Sequence, residues 1–438
     1  MELEELYEIF KKHPVVTTDS RDCPKGSIFF ALKGTTFNGN KFAKAALDKG
    51  CAWAVVDEEE YDTEEHTILT DDCLKTLQAL ALLHRRTIGT RIIGITGTNG
   101  KTTTKELTAA VLGERYRVLY TQGNFNNDIG VPKTLLRLTP EHEIAVVEMG
   151  ASHPGDIKTL VDITEPDYAL ITNVGRAHLQ GFGSFEGVIK TKGELYDYMR
   201  ERQNGTVFID ADNEYLTGMA QGLRLVGYGC DDAAKELYVR GTVTDCSPTL
   251  NFKWRHGNTA ADDGWHTVRT QLIGAYNVKN MLAAIAIGLF FGVRPEQIDH
   301  ALAAYKPSNN RSQLEVTADN RLIVDAYNAN PTSMAAALDN FDMIDDAHKM
   351  VIAGDMKELG DASAAEHQKV VDRLKAMTLE KVWLVGGEFE HADAPRHFRK
   401  FKDVEEVKAC INADKPKGCC ILIKGSNGTR LFQLPDIL

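Results

Sequence analysis

The chain has 438 residues, 43% of them hydrophobic and 26% charged, with 50 basic against 62 acidic side chains and a net charge of −12 at pH 7. That length predicts about three domains, and the composition supports packed cores and excludes a disordered tail. The acid excess argues against a general binder of nucleic acid or of an anionic membrane. The acidic start MELEELYEIF has no basic stretch ahead of an apolar one, so no secretory leader is expected. The longest apolar run, Leu282 to Val293, is too short to span a bilayer. The cysteines at 23, 51, 73, 230, 246, 410, 419 and 420 include no C-x-x-C pair, so neither a disulfide framework nor a zinc site is signalled. A cytoplasmic monomer with no stable membrane insertion is expected.

In chain order, the pattern predicts a strand over Ser27–Leu32, a helix over Phe42–Leu47, a strand over Trp53–Val56 and a boundary helix over Leu74–Arg86. The middle block then alternates. Strands are predicted at Arg91–Ile95, Ile144–Glu148, Tyr168–Asn173 and Thr206–Ile209, with helices near Lys101–Leu112, Pro154–Val161 and Phe185–Met199. Such alternation means βαβ units and a mostly parallel sheet. Residues 236–273 break the rhythm with short strands (Leu237–Val243, Leu250–Trp254, His266–Leu272) that predict an antiparallel annex, followed by a helix over Asn277–Phe291. A third block from Pro307 alternates again, with strands at Leu322–Val324, Met350–Ala353, Val382–Val385 and Cys420–Ile423. Three α/β domains are expected, over 1–84, 85–306 and 307–438, moving as units about linkers near residues 85 and 307.

The strand Arg91–Ile95 runs into Thr96-Gly97-Thr98-Asn99-Gly100-Lys101-Thr102-Thr103-Thr104, and a helix follows. Glycines there turn backbone N–H groups toward phosphates, Lys101 supplies a cation, and the Thr102 hydroxyl can hold Mg²⁺ at the helix N-terminus. Ile95 occupies the first glycine position of the longer G-x-x-x-x-G-K-[ST] pattern, so only the short G-x-x-G-K-T is present. A nucleotide loop alone does not name a reaction.

The loop departs from the longer pattern as the Mur ligase family does, and further strings resemble that family in order. They are Asn124-Phe125-Asn126-Asn127-Asp128-Ile129-Gly130-Val131-Pro132, Glu148-Met149-Gly150, Thr172-Asn173-Val174-Gly175 leading to His178, Lys192-Gly193-Glu194-Leu195, Gly274 through Asn280, Asn310-Arg311-Ser312, Asp325 through Pro331, Gly354 through Gly360, and Lys424-Gly425-Ser426. The resemblance covers almost the whole chain. It implies a three-domain architecture with a central P-loop ATPase-like parallel sheet and a Rossmann-like C-terminal domain. It also implies ATP-dependent addition of amino acids to a UDP-N-acetylmuramoyl precursor of peptidoglycan. Within the family, Asn328 and Asn330 in D-A-Y-N-A-N-P stand where other members carry a histidine-containing D-[YF]-A-H-x-P. This favours the member that joins D-alanyl-D-alanine to the UDP-MurNAc-tripeptide, through an acyl phosphate. The alternatives are a sibling adding a single amino acid, folate polyglutamylation on the same scaffold, or a nucleotide-gated binding protein.

The resemblance also implies roles. Gly97, Thr98, Asn99, Gly100, Lys101, Thr102 and Thr103 would bind ATP, with Asn277 and Asn280 at the adenine and Asp325 at the ribose. Tyr276 stands where the family often has histidine. Thr102, Glu148, His178 and a carbamylated Lys192 would hold two Mg²⁺ ions. Glu148 sits at the carboxyl end of its strand, where parallel sheets bind ligands. Lys101 and Arg311 would flank the transferring phosphoryl group, where positioning and electrostatics carry most of the catalysis. Arg311 lies past the second linker, so domain closure would complete the site. Ser20, Arg21 and Thr35 resemble the uridine-nucleotide turn. Asn126 and Asn127 would face the muramoyl peptide, and Asn328, Asn330 and Ser426 the incoming dipeptide. Lys101, His178, Lys192 and Arg311 are the expected catalytic set.

Overall fold

The computed structural model describes residues 2–63, 65–202, 205–230, 236–247, 249–257, 264–307 and 311–438. Asn310 of the Asn-Arg-Ser string lies outside them. Three sheets are built from successive stretches of chain. The first joins Val16–Thr17, Ile28–Phe30, Trp53–Val56 and Thr67–Leu69, all parallel and in sequence order. A helix over Leu3–Lys12 and another over Ala43–Asp48 cover it.

The boundary helix runs over Cys73–Ile88. Asp72 caps it by accepting from the Lys75 N–H at 2.9 Å, and Gly89, at φ 74°, ends it in the left-handed conformation. The expected boundary at 84/85 therefore falls inside a helix, and residue 85 is not in a linker. Arg85 is buried. It donates to the carbonyls of Thr164 and Glu165 at 3.1 and 2.8 Å and pairs with Asp167 at 3.2 Å. His84 donates to the Leu138 carbonyl at 2.9 Å. One continuous core joins Phe29 and Leu77 of this first unit to Val147, Leu160 and Leu195 of the second. A packed helix therefore spans the place where the sequence predicts the first linker.

The second sheet has nine strands, in the order His266–Arg269, Leu250–His256, Val239–Cys246, Arg224–Gly229, Thr206–Asp210, Tyr168–Ile171, Arg91–Thr96, Ile144–Glu148, Val118–Tyr120. The strands from Val118–Tyr120 to Val239–Cys246 pair in parallel, and the last two are antiparallel. The annex is an extension of the sheet edge, not a separate layer. Adjacent residues serve opposite faces: Ile92 enters the core shared with the first sheet, while Ile93 and Ile95 pack on the helices Lys101–Gly113 and Val278–Phe290. The helix Val278–Phe290 is buried over nearly its whole length, which explains the apolar run that follows Lys279 and Asn280. The chain leaves Arg91–Thr96 toward one edge and returns to Tyr168–Ile171 on its other side. This switch point opens a crevice at the strands' carboxyl ends.

The third sheet is ordered Gln313–Val316, Arg321–Asp325, Cys420–Lys424, Lys349–Gly354, Lys381–Val385, Arg399–Phe401, parallel except for its first hairpin. The final strand inserts between two earlier ones, which sets Asp325 beside Lys424 in register. No helix of the described residues is long and apolar enough to cross a membrane.

Candidate active site between the second and third sheets

The carboxyl ends of both larger sheets meet at a cavity of about 750 Å³. The loop at its floor depends on two glycines. Gly97 has φ 139°, and a Cβ there would collide with the Thr172 hydroxyl; Gly100, at φ 79°, sits against the Asn280 amide. The Thr172–Gly175 string supports this loop. Asn173 accepts from the Asn99 N–H and donates to the Asn99 carbonyl, both at 3.0 Å, and the Gly175 N–H donates to the Thr98 hydroxyl at 2.9 Å. Thr102 and Thr103 open the helix beside the cavity.

Lys101 does not project freely into solvent. Its ammonium folds back onto the carbonyls of Gly97 and Thr98 at 2.9 and 3.1 Å. Burial pushes it below the ordinary lysine value; Glu148 opposes that push and Arg311 adds to it. Glu148 is 1% exposed, and its Oε1 accepts from Thr102 at 3.2 Å and Asn126 at 2.8 Å. Its Oε2 is buried with no hydrogen-bond partner. Asn127 lines the cavity while its side-chain Oδ1 accepts at 2.8 Å from the N–H of Gly130, the first residue of the next helix.

Asn277 and Asn280 line the cavity as a tied pair: Asn280 donates to Asn277 at 2.8 Å, and Asn277 to the Ile273 carbonyl at 2.8 Å. Tyr276 reaches across the linker, its hydroxyl 2.8 Å from that of Ser312. The third unit supplies Arg311, stacked 3.8 Å from the Tyr327 ring centroid, and Asp325, held by Lys424 at 2.8 Å. Lys424 also donates to the Asn328 carbonyl at 3.0 Å. All of these line the same cavity as Lys101.

His178 and Glu358 face each other across the two units, ring Nδ1 against a carboxylate oxygen, both residues in the left-handed region at φ 50° and 61°. Burial lowers His178 below the ordinary histidine value, while Glu358 works against it. Lys192 is 2% exposed, which rules out a solvated helix lysine, and its Nζ lies 5.6 Å from the Phe182 ring that His178 also approaches. Burial, with Lys101 adding to it, holds Lys192 well below the ordinary lysine range.

Lys192 does not itself line the cavity, and other expected residues stand apart from it too. Asn330 is buried, capping the helix Pro331–Asp342 and donating to Asn99 at 2.8 Å. Ser426 is buried and donates to the Asp355 carbonyl at 2.7 Å, a contact within the third unit. Asp355 itself accepts from the N–H groups of Glu388 and Phe389 at 3.2 and 3.3 Å, which is a structural role. Ser20, Arg21 and Thr35 belong to the first unit and do not line the cavity; Arg21 is exposed and held by Asp19 at 2.8 Å. Sequence reasoning missed Glu358, Tyr276–Ser312 as a bridge, and Lys105, a fully buried cation 3.9 Å from Glu148. Lys105 falls one turn after Lys101, the only sequence signal that could have found it.

Thr102 and Glu148 fit a magnesium ion. They offer hard oxygen donors side by side at the cavity, the Thr102 hydroxyl 3.2 Å from Glu148 Oε1. Among the described residues no three His, Cys, Asp or Glu side chains form a ready cage. Magnesium matches that, since it takes one or two carboxylates and completes its shell with substrate phosphates and water.

A phosphate loop on a parallel sheet, facing a second α/β unit that contributes an arginine and an aspartate, defines a nucleotide-using enzyme with a composite site. The chain belongs to the Mur ligase family. The family's middle domain matches residues 95–288, its glutamate ligase domain 310–427, and the domain described as Mur ligase family, catalytic domain, 14–84. Among its relatives is the UDP-N-acetylmuramoyl-tripeptide–D-alanyl-D-alanine ligase of Escherichia coli, 37% identical, covering 96% of this chain and 92% of the relative. The Bacillus subtilis protein of the same name is 35% identical with the same coverage. The crystal structure of MurF from Acinetobacter baumannii superposes with a TM-score of 0.84 at 31% identity, covering 96% of this chain and 92% of the other. MurF ligase from Thermotoga maritima, solved with ADP, gives 0.83 at 25% identity, covering 97% and 96%. The fold is the three-domain α/β Mur ligase fold.

Proposed function

We propose that this chain is an ATP-dependent ligase that joins D-alanyl-D-alanine to the terminal carboxylate of UDP-N-acetylmuramoyl-tripeptide in peptidoglycan precursor synthesis. One observation carries the reading: Lys101 and Glu148 of the central unit and Arg311 and Asp325 of the third line a single cavity. The near-full-length likeness to ligases of that name supports the choice of substrates.

The carboxylate attacks the γ-phosphorus of ATP, the bond to the β–γ bridging oxygen breaks, and an acyl phosphate and ADP result. The dipeptide amine then attacks the acyl carbon, loses a proton, and the tetrahedral intermediate collapses with loss of phosphate. Lys101 and Arg311 offset the negative charge of carboxylate and phosphate, which otherwise repel each other. Asn277 and Asn280 bind the adenine and Asp325 the ribose. Thr102 and Glu148 would hold one Mg²⁺, His178 and Lys192 as its carbamate a second; these ions supply charge neutralisation at the phosphates. A depressed lysine pKa favours the neutral amine that takes up CO₂, and a carbamate offers oxygen donors.

In the first unit Ser20, Arg21 and Thr35 bind the uridine nucleotide, and Asn126 and Asn127 face the muramoyl peptide. Asn328 faces the dipeptide, while Asn330 and Ser426 serve it by holding the surrounding backbone. The partition 1–84, 85–306 and 307–438 assigns UDP-substrate, ATP and ligase roles in turn. The enzyme works as a cytoplasmic monomer. Mass spectrometry of a reaction with ATP, Mg²⁺, UDP-MurNAc-tripeptide and D-Ala-D-Ala tests this: the UDP-MurNAc-pentapeptide must appear, and its absence with active ATP hydrolysis refutes the reading.

A further inference from the structure

Lys105 is 0% exposed, and its ammonium has no hydrogen-bond partner. The helix Lys101–Gly113 places it one turn after Lys101 but behind the cavity wall, where it does not line the cavity and cannot touch the nucleotide. Its Nζ lies 3.9 Å from Glu148 Oε2, 3.6 Å from Glu106 Oε1 and 5.6 Å from the Tyr120 ring centroid. Glu148 Oε2 is the other buried atom here without a hydrogen bond, while Oε1 is taken by Thr102 and Asn126. Glu106 in turn accepts from the Tyr305 hydroxyl at 2.6 Å, at the end of the helix that leads toward Arg311.

An apolar side chain of similar length would fill the Lys105 position with no desolvation of charge, and such replacements of buried charges are often neutral or stabilising. The charge therefore needs a reason outside packing. We propose that Lys105 is a positioning residue for the Glu148 carboxylate: a buried counter-charge that holds Oε2 by electrostatic attraction, so that Oε1 stays aimed at the Thr102 hydroxyl and the cavity. Glu106, fixed by Tyr305, keeps the ammonium from swinging away. The inference rests on the reading of Glu148 as a magnesium ligand, and second-sphere partners of this kind set metal affinity.

The test is Mn²⁺ binding to the ADP complex, followed by electron paramagnetic resonance, in Lys105→Met, Lys105→Arg and Glu148→Gln proteins, with melting temperatures alongside. Lys105→Met should melt no lower than the parent and bind Mn²⁺ on the order of tenfold more weakly. Lys105→Arg, which keeps the charge, should hold Mn²⁺ nearly as the parent does. If Lys105→Met does not fold, Lys105→Gln gives the same readout without the charge. Parental Mn²⁺ affinity in the neutral variants, or a lowered melting temperature with that affinity intact, overturns the proposal. If Glu148→Gln also leaves Mn²⁺ binding unchanged, the underlying metal assignment fails instead.

Discussion

Asn330, at the N-terminus of a third-unit helix, donates its side-chain N–H to Asn99 Oδ1 of the phosphate loop at 2.8 Å. The same side chain caps its own helix by accepting from the Ser333 N–H at 2.9 Å. One residue thus registers the third unit on the nucleotide loop and starts the helix behind it. The two roles separate by substitution. Asn330→Ser keeps a good cap but is too short to reach Asn99, so melting should be nearly unchanged while kcat/KM for ATP falls about fivefold, the loss of one net hydrogen bond. Asn330→Ala should lose about 1 kcal/mol of stability in addition. Equal kinetics in Asn330→Ser and the parent would show that the bridge does not matter to turnover.

Lys101→Ala should reduce phosphate release by about a hundredfold or more, the scale expected when a preorganised charge at a reacting group is removed. The side chain is only half-buried and its bonds go to the loop's own carbonyls, so melting followed by circular dichroism should change little. Near-parental turnover would remove Lys101 from the phosphate site.

Lys192→Ala should lose most activity, with partial rescue by acetate or formate, whereas Lys190→Ala, on the exposed side of the same helix, should be nearly silent. The unmodified amine also makes a pH prediction. Its folded-state pKa is lowered, so between that value and the unfolded lysine value near ~10.4 the unfolded chain binds more protons. Stability of CO₂-depleted protein should therefore rise with pH through that window. In Lys192→Met that rise should be shallower, with the gain over the parent largest at the acid end. Parallel melting curves for the two proteins across pH would count against a buried, depressed lysine.

Closure should occur about the second linker alone. The third unit is joined to the central one through the side-chain contacts Tyr276–Ser312, His178–Glu358 and Asn330–Asn99, one backbone bond from the Gln180 N–H to the Glu358 carbonyl at 3.2 Å, and Ile273 in the third unit's core. The first unit instead shares a continuous core and the buried Arg85 with the central one. X-ray scattering with and without an ATP analogue and UDP-tripeptide should fit a rotation of residues 311–438 against a fixed 2–307 body. A fit requiring motion about residue 85 would contradict the packed helix there.

Much of this fold was legible in the sequence where burial is two-sided. Trp53–Val56 and Ile144–Val147 are short apolar runs each closed by an acid, Asp57 and Glu148, and both strands have the predicted ends. Edge elements were not legible: Val16–Thr17 and Val118–Tyr120 lie beside a single partner strand and are only two and three residues long. The helix Gly130–Leu135 was hidden by its own Gly130 and Pro132, which read as a loop. The packing of residue 85 was not legible because the Arg85–Arg86 pair reads as solvated, whereas tertiary carbonyl groups bury Arg85. In the site, the loop and the strand-end Glu148 were visible because local geometry sets them. Glu358 opposite His178, and Lys105 beside Glu148, depend on contacts between distant segments, and a fully buried lysine runs against the usual distribution of charge.

The central claim is tested most directly by phosphate release measured with ATP and Mg²⁺ while the two acceptor substrates are supplied separately and together. Release should be sustained only with both UDP-MurNAc-tripeptide and D-Ala-D-Ala present, and should fall to background when either is omitted or when D-Ala-D-Ala is replaced by a single amino acid. Turnover with neither substrate would make the chain a nucleotide switch, and turnover with a single amino acid in place of the dipeptide would make it a sibling ligase.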